Sequence, residues 1–208
     1  MLPIIIAITI SYLIGSIPTA YIFGRILKGQ DIRRFGSGNV GATNAFRFLG
    51  KVPGMLVLLL DIGKGFLAIA ALGSFCVVRS HLVSNEICLI LIGIACIAGH
   101  NWTVFLGFKG GKGVATTLGV LLGLSIAIPG LRWILVLLLA TWLGIFLVSG
   151  IVSLASVISA ISLPIYIWLF KQSLALILTG ALLSFFVLIR HKANIVRLFQ
   201  GREFRLRC

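Results

Sequence analysis

Acidic side chains are scarce in this sequence. Only 4 of its 208 residues are Asp or Glu, whereas 18 are Lys or Arg, and the formal net charge is +14. The carboxylates are neither clustered nor paired for acid–base work, and no nucleophile, base and orienting group form a readable triad. The sequence therefore does not indicate catalysis by paired carboxylates or by a catalytic triad.

Metal-binding cysteine patterns and a leader pattern are also missing. The four cysteines, Cys76, Cys88, Cys96 and Cys208, are scattered, and no Cys-x-x-Cys or Cys/His ligand spacing occurs. We therefore expect no metal site, and no motif indicates a cofactor. The first residues lack the basic segment and the cleavage site of a removable signal peptide, so we expect the first apolar run to remain as a span.

Charged residues make up 11% of the chain and hydrophobic residues 60%, with a mean hydropathy of +1.17. Soluble domains contain roughly 45–50% apolar residues, so this composition predicts a polytopic membrane protein. Its basic residues should lie in loops, because charge at the bilayer centre is costly. Such loops favour membrane lipid or an anionic substrate as partner. We exclude nucleic acid because no soluble domain presents the charge.

Seven apolar stretches approach the roughly 20 residues that a membrane-crossing helix needs. We place them at residues 2–24, 53–75, 87–106, 114–129, 133–148, 154–170 and 174–189. A tight turn at Pro129 and Gly130 separates the short fourth and fifth stretches. The predicted fold is all-α, a single domain over residues 1–208. Small residues such as Gly119 and Gly144 should permit close helix packing.

Seven spans put the two termini on opposite sides of the membrane, and Lys and Arg residues then indicate the cytoplasmic side. With the C-terminus inside, the inner segments hold Arg25, Lys28, Arg33, Arg34, Arg47, Lys51, Lys109, Lys112, Arg190, Lys192, Arg197, Arg202, Arg205 and Arg207. The outer segments hold only Arg79, Arg132 and Lys171, and Lys64 lies within a span. We therefore predict that the N-terminus is outside and the C-terminus is cytoplasmic.

The first polar stretch is Gly-Ser-Gly-Asn-Val-Gly-Ala-Thr-Asn at residues 36–44, which we name the serine loop. Glycine lets backbone N–H groups approach a ligand, and the other residues offer hydroxyls and amides, as in an anion cradle. The same residue types are also ordinary turn formers. If a helix starts near Val40, Thr43, Asn44 and Arg47 fall at positions i+3, i+4 and i+7 and share one face. The candidate ligands are Ser37, Gly38, Asn39, Thr43, Asn44 and Arg47.

A second candidate anion site is the glycine–lysine loop, Phe-Lys-Gly-Gly-Lys-Gly at residues 108–113. It is not a Walker A motif, because the first glycine is missing at the required offset and no β-strand precedes it. A helix beginning near Val114 would offer its unpaired N–H groups and partial positive charge to a phosphate. A cytoplasmic loop that is merely basic would not need three glycines. The candidate ligands are Lys109, Gly110, Gly111, Lys112 and Gly113.

Polar residues within apolar segments are functional candidates. His100 and Asn101 lie near the inner end of the third span, shortly before the glycine–lysine loop. His100 belongs either to the site or to a hydrogen bond with a neighbouring helix. Asp61 and Lys64 are three residues apart in the second span, and a structural ion pair is as good an interpretation as a catalytic role.

Four more candidates lie on the predicted cytoplasmic side. Ser153 and Ser156 open the sixth span, where serine is also a common helix cap. His191 and Asn194 follow the seventh span in a basic tail, a feature that usually contacts lipid headgroups. Lipid contact explains the arginines of that tail better than it explains His191 together with Asn194.

Taken together, these motifs resemble those of the bacterial acyl-phosphate:glycerol-3-phosphate acyltransferases, the PlsY family. The similarity is carried, in this order, by the serine loop, Gly99-His100, the glycine–lysine loop with Val114-Ala115, Ser153-Leu-Ala-Ser156 and Arg190-His191-x-x-Asn194-Ile195. It extends from residue 15 to residue 203, which is nearly the whole chain.

The resemblance implies a seven-helix enzyme of the bacterial inner membrane with its active site facing the cytoplasm. Such an enzyme moves a fatty acyl group from acyl phosphate to the 1-hydroxyl of glycerol 3-phosphate, which makes lysophosphatidic acid in the first step of phospholipid biosynthesis. No covalent enzyme intermediate is required, because acyl phosphate is already activated and a substrate phosphate takes the hydroxyl proton. The oligomeric state is left open, with a monomer as one option.

The resemblance also implies residue roles. The expected catalytic residues are Ser37, His100, Lys112 and Ser153. Acyl-phosphate binding falls to Ser37, residues 110–113 and Ser153. Glycerol-phosphate binding falls to Arg47, Lys112, His191 and Asn194, and His100 matches a family histidine beside these loops. Relatives commonly carry Arg-His-Arg-Glu-Asn where this chain has Ala193 before Asn194. Any role of a carboxylate at that position is therefore lost.

A transporter or channel for an organic phosphate is the competing hypothesis. It predicts polar residues continued through the spans and inverted repeats with helices broken near the membrane midplane. The sequence instead concentrates its polar residues at one membrane face and contains no readable repeat. The enzyme is therefore the preferred interpretation.

Overall fold

A computed structural model describes residues 2–79 and 83–206, so Arg207 and Cys208 lie outside the described residues. Within those ranges the regular structure is helical and contains no strand, which confirms the all-α prediction. The α-helices are α1 (Leu2–Ser16), α2 (Thr19–Lys28), α3 (Ala42–Leu49), α4 (Lys51–Leu67), α5 (Gly73–Arg79), α6 (Asn85–Asn101), α7 (Val114–Ala127), α8 (Leu131–Ser149), α9 (Val152–Leu169), α10 (Leu174–Arg190) and α11 (Lys192–Phe199).

Among the described residues, five helical stretches are long and apolar enough to cross a membrane. They are Leu2–Lys28, Lys51–Cys76, Asn85–Leu106, Leu131–Ser149 and Val152–Leu169. A sixth arises if α10 and α11, which meet at a bend of 65°, form one span, and α7 is a shorter apolar helix. The multi-pass architecture is therefore confirmed, whereas the count of seven spans stays a prediction.

The first predicted span is not one uninterrupted helix. It breaks between α1 and α2 at Ile17 and Pro18, because proline has no N–H to donate and disfavours a helical conformation in the residue before it. By contrast, Pro53 lies in the first turn of α4, where its missing N–H is tolerated. The break matters for the site, because the Ile17 carbonyl accepts a hydrogen bond from the Lys64 ammonium at 3.1 Å.

The chain divides into two compact units, Met1–Leu124 and Ser125–Cys208. In the first unit, glycines let helix backbones touch, since a Cβ at Gly15 would overlap the main chain of Cys96 and one at Gly119 would overlap the Ile62 carbonyl. These contacts bring α1 against α6 and α4 against α7. The predicted packing role of Gly119 is confirmed.

In the second unit, α9 packs between α8 and α10. The hydroxyls of Thr141 and Tyr166 lie 2.8 Å apart and link α8 to α9. The Trp142 indole donates to the Ser156 hydroxyl at 3.2 Å and forms a second link. Gly144 does not support close packing as expected, because no described atom lies within 4 Å of the position its Cβ would take.

Gly119 and Gly144 therefore form a matched pair for testing the packing of α4 against α7. We expect Gly119→Ala to lower the free energy of unfolding by about 1–3 kcal/mol, because the new methyl group overlaps a backbone carbonyl. Gly144→Ala should leave stability unchanged or slightly raised, since alanine is the better helix former. Thermal unfolding in detergent compares the two, and equal melting temperatures would contradict the packing assignment.

Candidate functional site

Two left-handed glycines and one buried amide shape the serine loop. Gly36 and Gly38 flank Ser37 with φ of 57° and 68°, a region that favours glycine. The Asn44 amide donates to the carbonyls of Ile32, Phe35 and Asn39 at 3.0–3.2 Å and accepts from the Ser37 N–H at 3.0 Å. One side chain on α3 thus fixes the loop and leaves Ser37 exposed.

This geometry differs from the predicted arrangement of the loop residues. Helix α3 begins at Ala42 rather than near Val40. The Asn44 side chain turns back into the loop and is only 1% exposed, so it does not share an open face with Thr43 and Arg47. Asn39 and Thr43 are half-buried, and Arg47 is exposed.

Arg33, a basic residue shortly before the serine loop, is paired with an acidic neighbour. The Arg33 guanidinium forms a two-pronged ion pair with Asp31, with the shortest distance 2.7 Å. The hydrogen bonds from Arg33 lower the pKa of Asp31 to about 2. Arg33 therefore stabilises this segment, and its guanidinium is bound to Asp31 rather than available to a phosphate.

The centre of the first unit is a buried polar network around Lys64. Its ammonium contacts Asp61 Oδ1 at 2.9 Å, the Ile17 carbonyl at 3.1 Å and His100 Nδ1 at 2.8 Å. An ammonium has three hydrogens, so these three acceptors use all of them. The Thr19 hydroxyl adds a bond of 2.7 Å to Asp61. Lys64 and Asp61 therefore form a structural pair that orients His100.

The network also determines which nitrogen of His100 carries the proton. Because an ammonium can only donate, Nδ1 must accept from Lys64, and the ring hydrogen of a neutral imidazole is on Nε2. The Nε2 edge faces Gly111, where any Cβ would overlap the ring. The His100 carbonyl accepts from the Gly111 N–H at 2.9 Å. His100 thus supports the glycine–lysine loop with both its main chain and its ring.

The predicted loop residues differ in their exposure. Gly110, Gly111 and Gly113 are buried, Lys112 is half-buried and Lys109 is exposed. Helix α7 begins at Val114, as predicted. The N–H groups of Gly110 and Gly111 already donate to the carbonyls of Asn101 and His100. The anion site therefore stays a prediction, and the start of α7 and Lys112 are the donors that fit it.

In the second unit, three of the polar side chains converge on Glu203. The Ser153 hydroxyl donates to Oε1 at 3.0 Å, the Asn194 amide donates to Oε1 at 2.7 Å and Arg197 donates to Oε2 at 2.8 Å. Burial raises the pKa of Glu203, but the hydrogen bonds from Asn194, Arg197 and Ser153 outweigh this effect and hold the pKa below its usual value. Glu203 is thus the anionic centre of the cluster.

The remaining candidates of this unit are also engaged. The Ser156 hydroxyl donates to the Val152 carbonyl at 2.8 Å within α9. His191 lies at the junction of α10 and α11 and is 3% exposed, and its Nδ1–H donates to the Val187 carbonyl at 2.8 Å. This bond fixes the His191 ring to the last turn of α10 through Nδ1.

Sequence reasoning missed two participants, Thr19 and Glu203. Thr19 follows a proline, which marks a helix break, and a break inside an apolar run is a signal for a polar contact. Glu203 is one of four acidic residues in a basic chain, so its tail position could have been taken as a charge partner. The described residues contain no group of three His, Cys, Asp or Glu side chains arranged to hold a metal ion.

Fold and site together define a multi-pass membrane protein that carries glycine-lined, basic clusters suited to phosphate groups. A profile of the family described as glycerol-3-phosphate acyltransferase matches residues 5–201. A curated glycerol-3-phosphate acyltransferase of Desulforamulus reducens is 42% identical over 196 residues, which cover 94% of this chain and 92% of the relative. One of Synechococcus sp. is 42% identical over 206 residues, covering 99% and 96%.

Solved structures show the same relationship. The chain is similar to PlsY (YgiH), an integral membrane glycerol 3-phosphate acyltransferase, with 38% identity over 97% of this chain and 94% of that chain. The TM-score is 0.84 for its glycerol 3-phosphate form and 0.81 for its lysophosphatidic acid form. The chain therefore belongs to the glycerol-3-phosphate acyltransferase family, of the PlsY type, and the predicted resemblance is confirmed.

We predict that Glu203 stabilises the second unit only while it is charged. Because its folded-state pKa is lowered, this stabilisation is fully present above the usual pKa of about 4.5 and is lost as the pH falls through the lowered value. Glu203→Gln should therefore unfold at a lower temperature than the wild type at neutral pH, and the difference should shrink under acidic conditions. A difference that stays constant down to low pH would contradict this assignment.

Proposed function

We propose that the protein transfers a fatty acyl group from acyl phosphate to the 1-hydroxyl of glycerol 3-phosphate, giving lysophosphatidic acid and inorganic phosphate. Full-length membership of the acyltransferase family supports the reaction class. The similar structures that bind glycerol 3-phosphate and lysophosphatidic acid support the acceptor and the product. Acyl phosphate as the donor is what the resemblance to the PlsY family implies, and loops suited to phosphate groups are compatible with it.

The proposed step balances without a covalent enzyme intermediate. The 1-hydroxyl oxygen attacks the acyl carbonyl carbon, the bond from that carbon to the phosphate oxygen breaks, and the departing phosphate takes the hydroxyl proton. Phosphate is a good leaving group, so the protein must position two anionic reactants and stabilise the developing negative charge. This fits a chain without a readable triad.

In the first unit we assign the acyl-phosphate contacts to groups that can donate. The N–H groups at the start of α7, together with Lys112, suit the phosphate, since those of Gly110 and Gly111 already donate to carbonyls of α6. The exposed Ser37 suits the reacting oxygens. Asn44 and His100 support these loops from beneath. The remaining proposed contacts of this unit are Gly38, Asn39, Thr43, Arg47, Lys109, Gly110, Gly111 and Gly113.

In the second unit we assign His191 and Asn194 to glycerol-phosphate binding, the role that the family resemblance implies for them. The resemblance implies the same role for Arg47 and Lys112. Ser153 is a proposed contact of acyl phosphate and Ser156 a proposed substrate contact. Asn194 donates one amide hydrogen to Glu203, which orients this side chain before substrate arrives and reduces the entropy lost on binding. The Ser153 hydroxyl has a single hydrogen, which it donates to Glu203, so it must turn away from Glu203 to donate to a phosphate.

We further propose seven spans in the bacterial inner membrane, with the N-terminus outside. The serine loop, the glycine–lysine loop and the C-terminus would face the cytoplasm. The excess of Lys and Arg in the segments assigned to that side supports this topology. Membrane lipid would surround the spans, and no metal or other cofactor takes part in the proposed step. A monomer is the simplest assembly, and the transporter alternative is disfavoured by the family.

The choice of acyl donor can be tested directly. Purified protein supplied with acyl phosphate and glycerol 3-phosphate should form lysophosphatidic acid, whereas acyl-CoA in place of acyl phosphate should give none. Mass spectrometry of the extracted lipid measures the product. Product formed only with acyl-CoA would reject acyl phosphate as the donor.

The role of the glycine–lysine loop can be tested with matched lysine variants. Lys112→Ala should lower kcat/KM by about 100-fold or more, because a charged donor to a phosphate is lost. Lys51→Ala is the control, since Lys51 is exposed at the start of α4, and it should retain wild-type activity and melting temperature. Equal activity of the two variants would remove Lys112 from the mechanism.

A further inference from the structure

Asn101, the last residue of α6, carries an amide that is buried without a partner. The residue is 0% exposed, and neither Oδ1 nor Nδ2 has a hydrogen bond within the described part of the chain. Buried polar groups are nearly always paired, so an unpaired amide requires an explanation. Its main chain is fixed, because the Asn101 carbonyl accepts from the Gly110 N–H at 3.2 Å.

This amide lies directly beneath the start of α7. Its Oδ1 and Nδ2 are 2.6 Å and 3.2 Å from the position that a Cβ of residue 113 would take. Gly113 has φ of 77° and immediately precedes Val114, the first residue of a 14-residue helix. The main chain of Gly113 therefore lies against the amide. Because glycine has no side chain, this main chain can rotate where that of a larger residue would be blocked.

We propose that Asn101 is a further phosphate ligand of the glycine–lysine loop. Its Nδ2–H donates to an oxygen of the phosphate held at the start of α7 once the main chain at Gly113 rotates. The helix start attracts the anion, and the amide then gains the hydrogen bond that it lacks. The identification of this phosphate with that of acyl phosphate rests on the proposed function.

A ligand role and a structural role predict opposite effects on stability. Replacing an unpaired buried amide with an apolar group of the same shape removes a desolvation penalty, so it does not destabilise the ligand-free protein. A structural amide would instead be needed for folding. The nearly isosteric variant Asn101→Leu therefore separates the two roles.

The experiment measures thermal unfolding of the full chain in detergent, with inorganic phosphate or with chloride at equal ionic strength. Asn101→Leu should unfold at or above the wild-type temperature in chloride. It should lose most of the stabilisation by phosphate and raise the KM for acyl phosphate about tenfold or more, as expected for loss of a hydrogen bond to a charged group. Thr116→Val is the control, because it removes a different unpaired buried polar group, the Thr116 hydroxyl of α7, and it should retain both properties.

Three results would overturn the proposal: wild-type protein that phosphate does not stabilise, Asn101→Leu protein that retains wild-type phosphate stabilisation and KM, or Asn101→Leu protein that unfolds early in chloride. The phosphate arm does not depend on turnover. If the wild type made no lysophosphatidic acid but Asn101→Leu lost phosphate stabilisation, the ligand assignment would stand and the proposed function would fail.

Discussion

A buried ammonium in a membrane-spanning segment is stable only when its charge is balanced and each of its hydrogens has an acceptor. Lys64 meets this requirement with a carboxylate of its own helix, the Ile17 carbonyl at the break between α1 and α2, and an imidazole nitrogen of α6. Three segments far apart in sequence are thus joined at one atom. The rest of the first unit is built around that junction.

His100 links this junction to the glycine–lysine loop of the candidate site. With Nδ1 occupied by Lys64, the ring is fixed with its Nε2 edge against Gly111, and the His100 carbonyl holds the same residue by its N–H. The neighbouring Asn101 holds Gly110. The end of α6 therefore forms a support for the loop that precedes α7, and side chains larger than hydrogen at 110, 111 and 113 would collide with it.

Much of this could be predicted from the sequence, because apolar runs, glycine clusters and basic loops are local features. The helical fold, the start of α7 at Val114 and the close packing at Gly119 follow from such patterns. The direction in which a side chain points does not follow from such local patterns. Asn44 turns into its own loop because four backbone groups there need a partner, and Glu203 gathers Ser153 and Asn194 across some 50 residues of chain. The hydrogen bond from Lys64 to the Ile17 carbonyl depends on the helix break at Pro18, which hydropathy alone does not reveal.

The Asp61–Lys64–His100 network positions the glycine–lysine loop through the His100 ring and carbonyl. Hydrogen–deuterium exchange of the double variant Asp61→Asn/Lys64→Met tests it most directly, since removing both charges leaves no unpaired ion to unfold the protein. We expect faster exchange over residues 109–113 in the double variant, with exchange in the serine loop unchanged. Wild-type exchange rates over residues 109–113 in a folded double variant would contradict it.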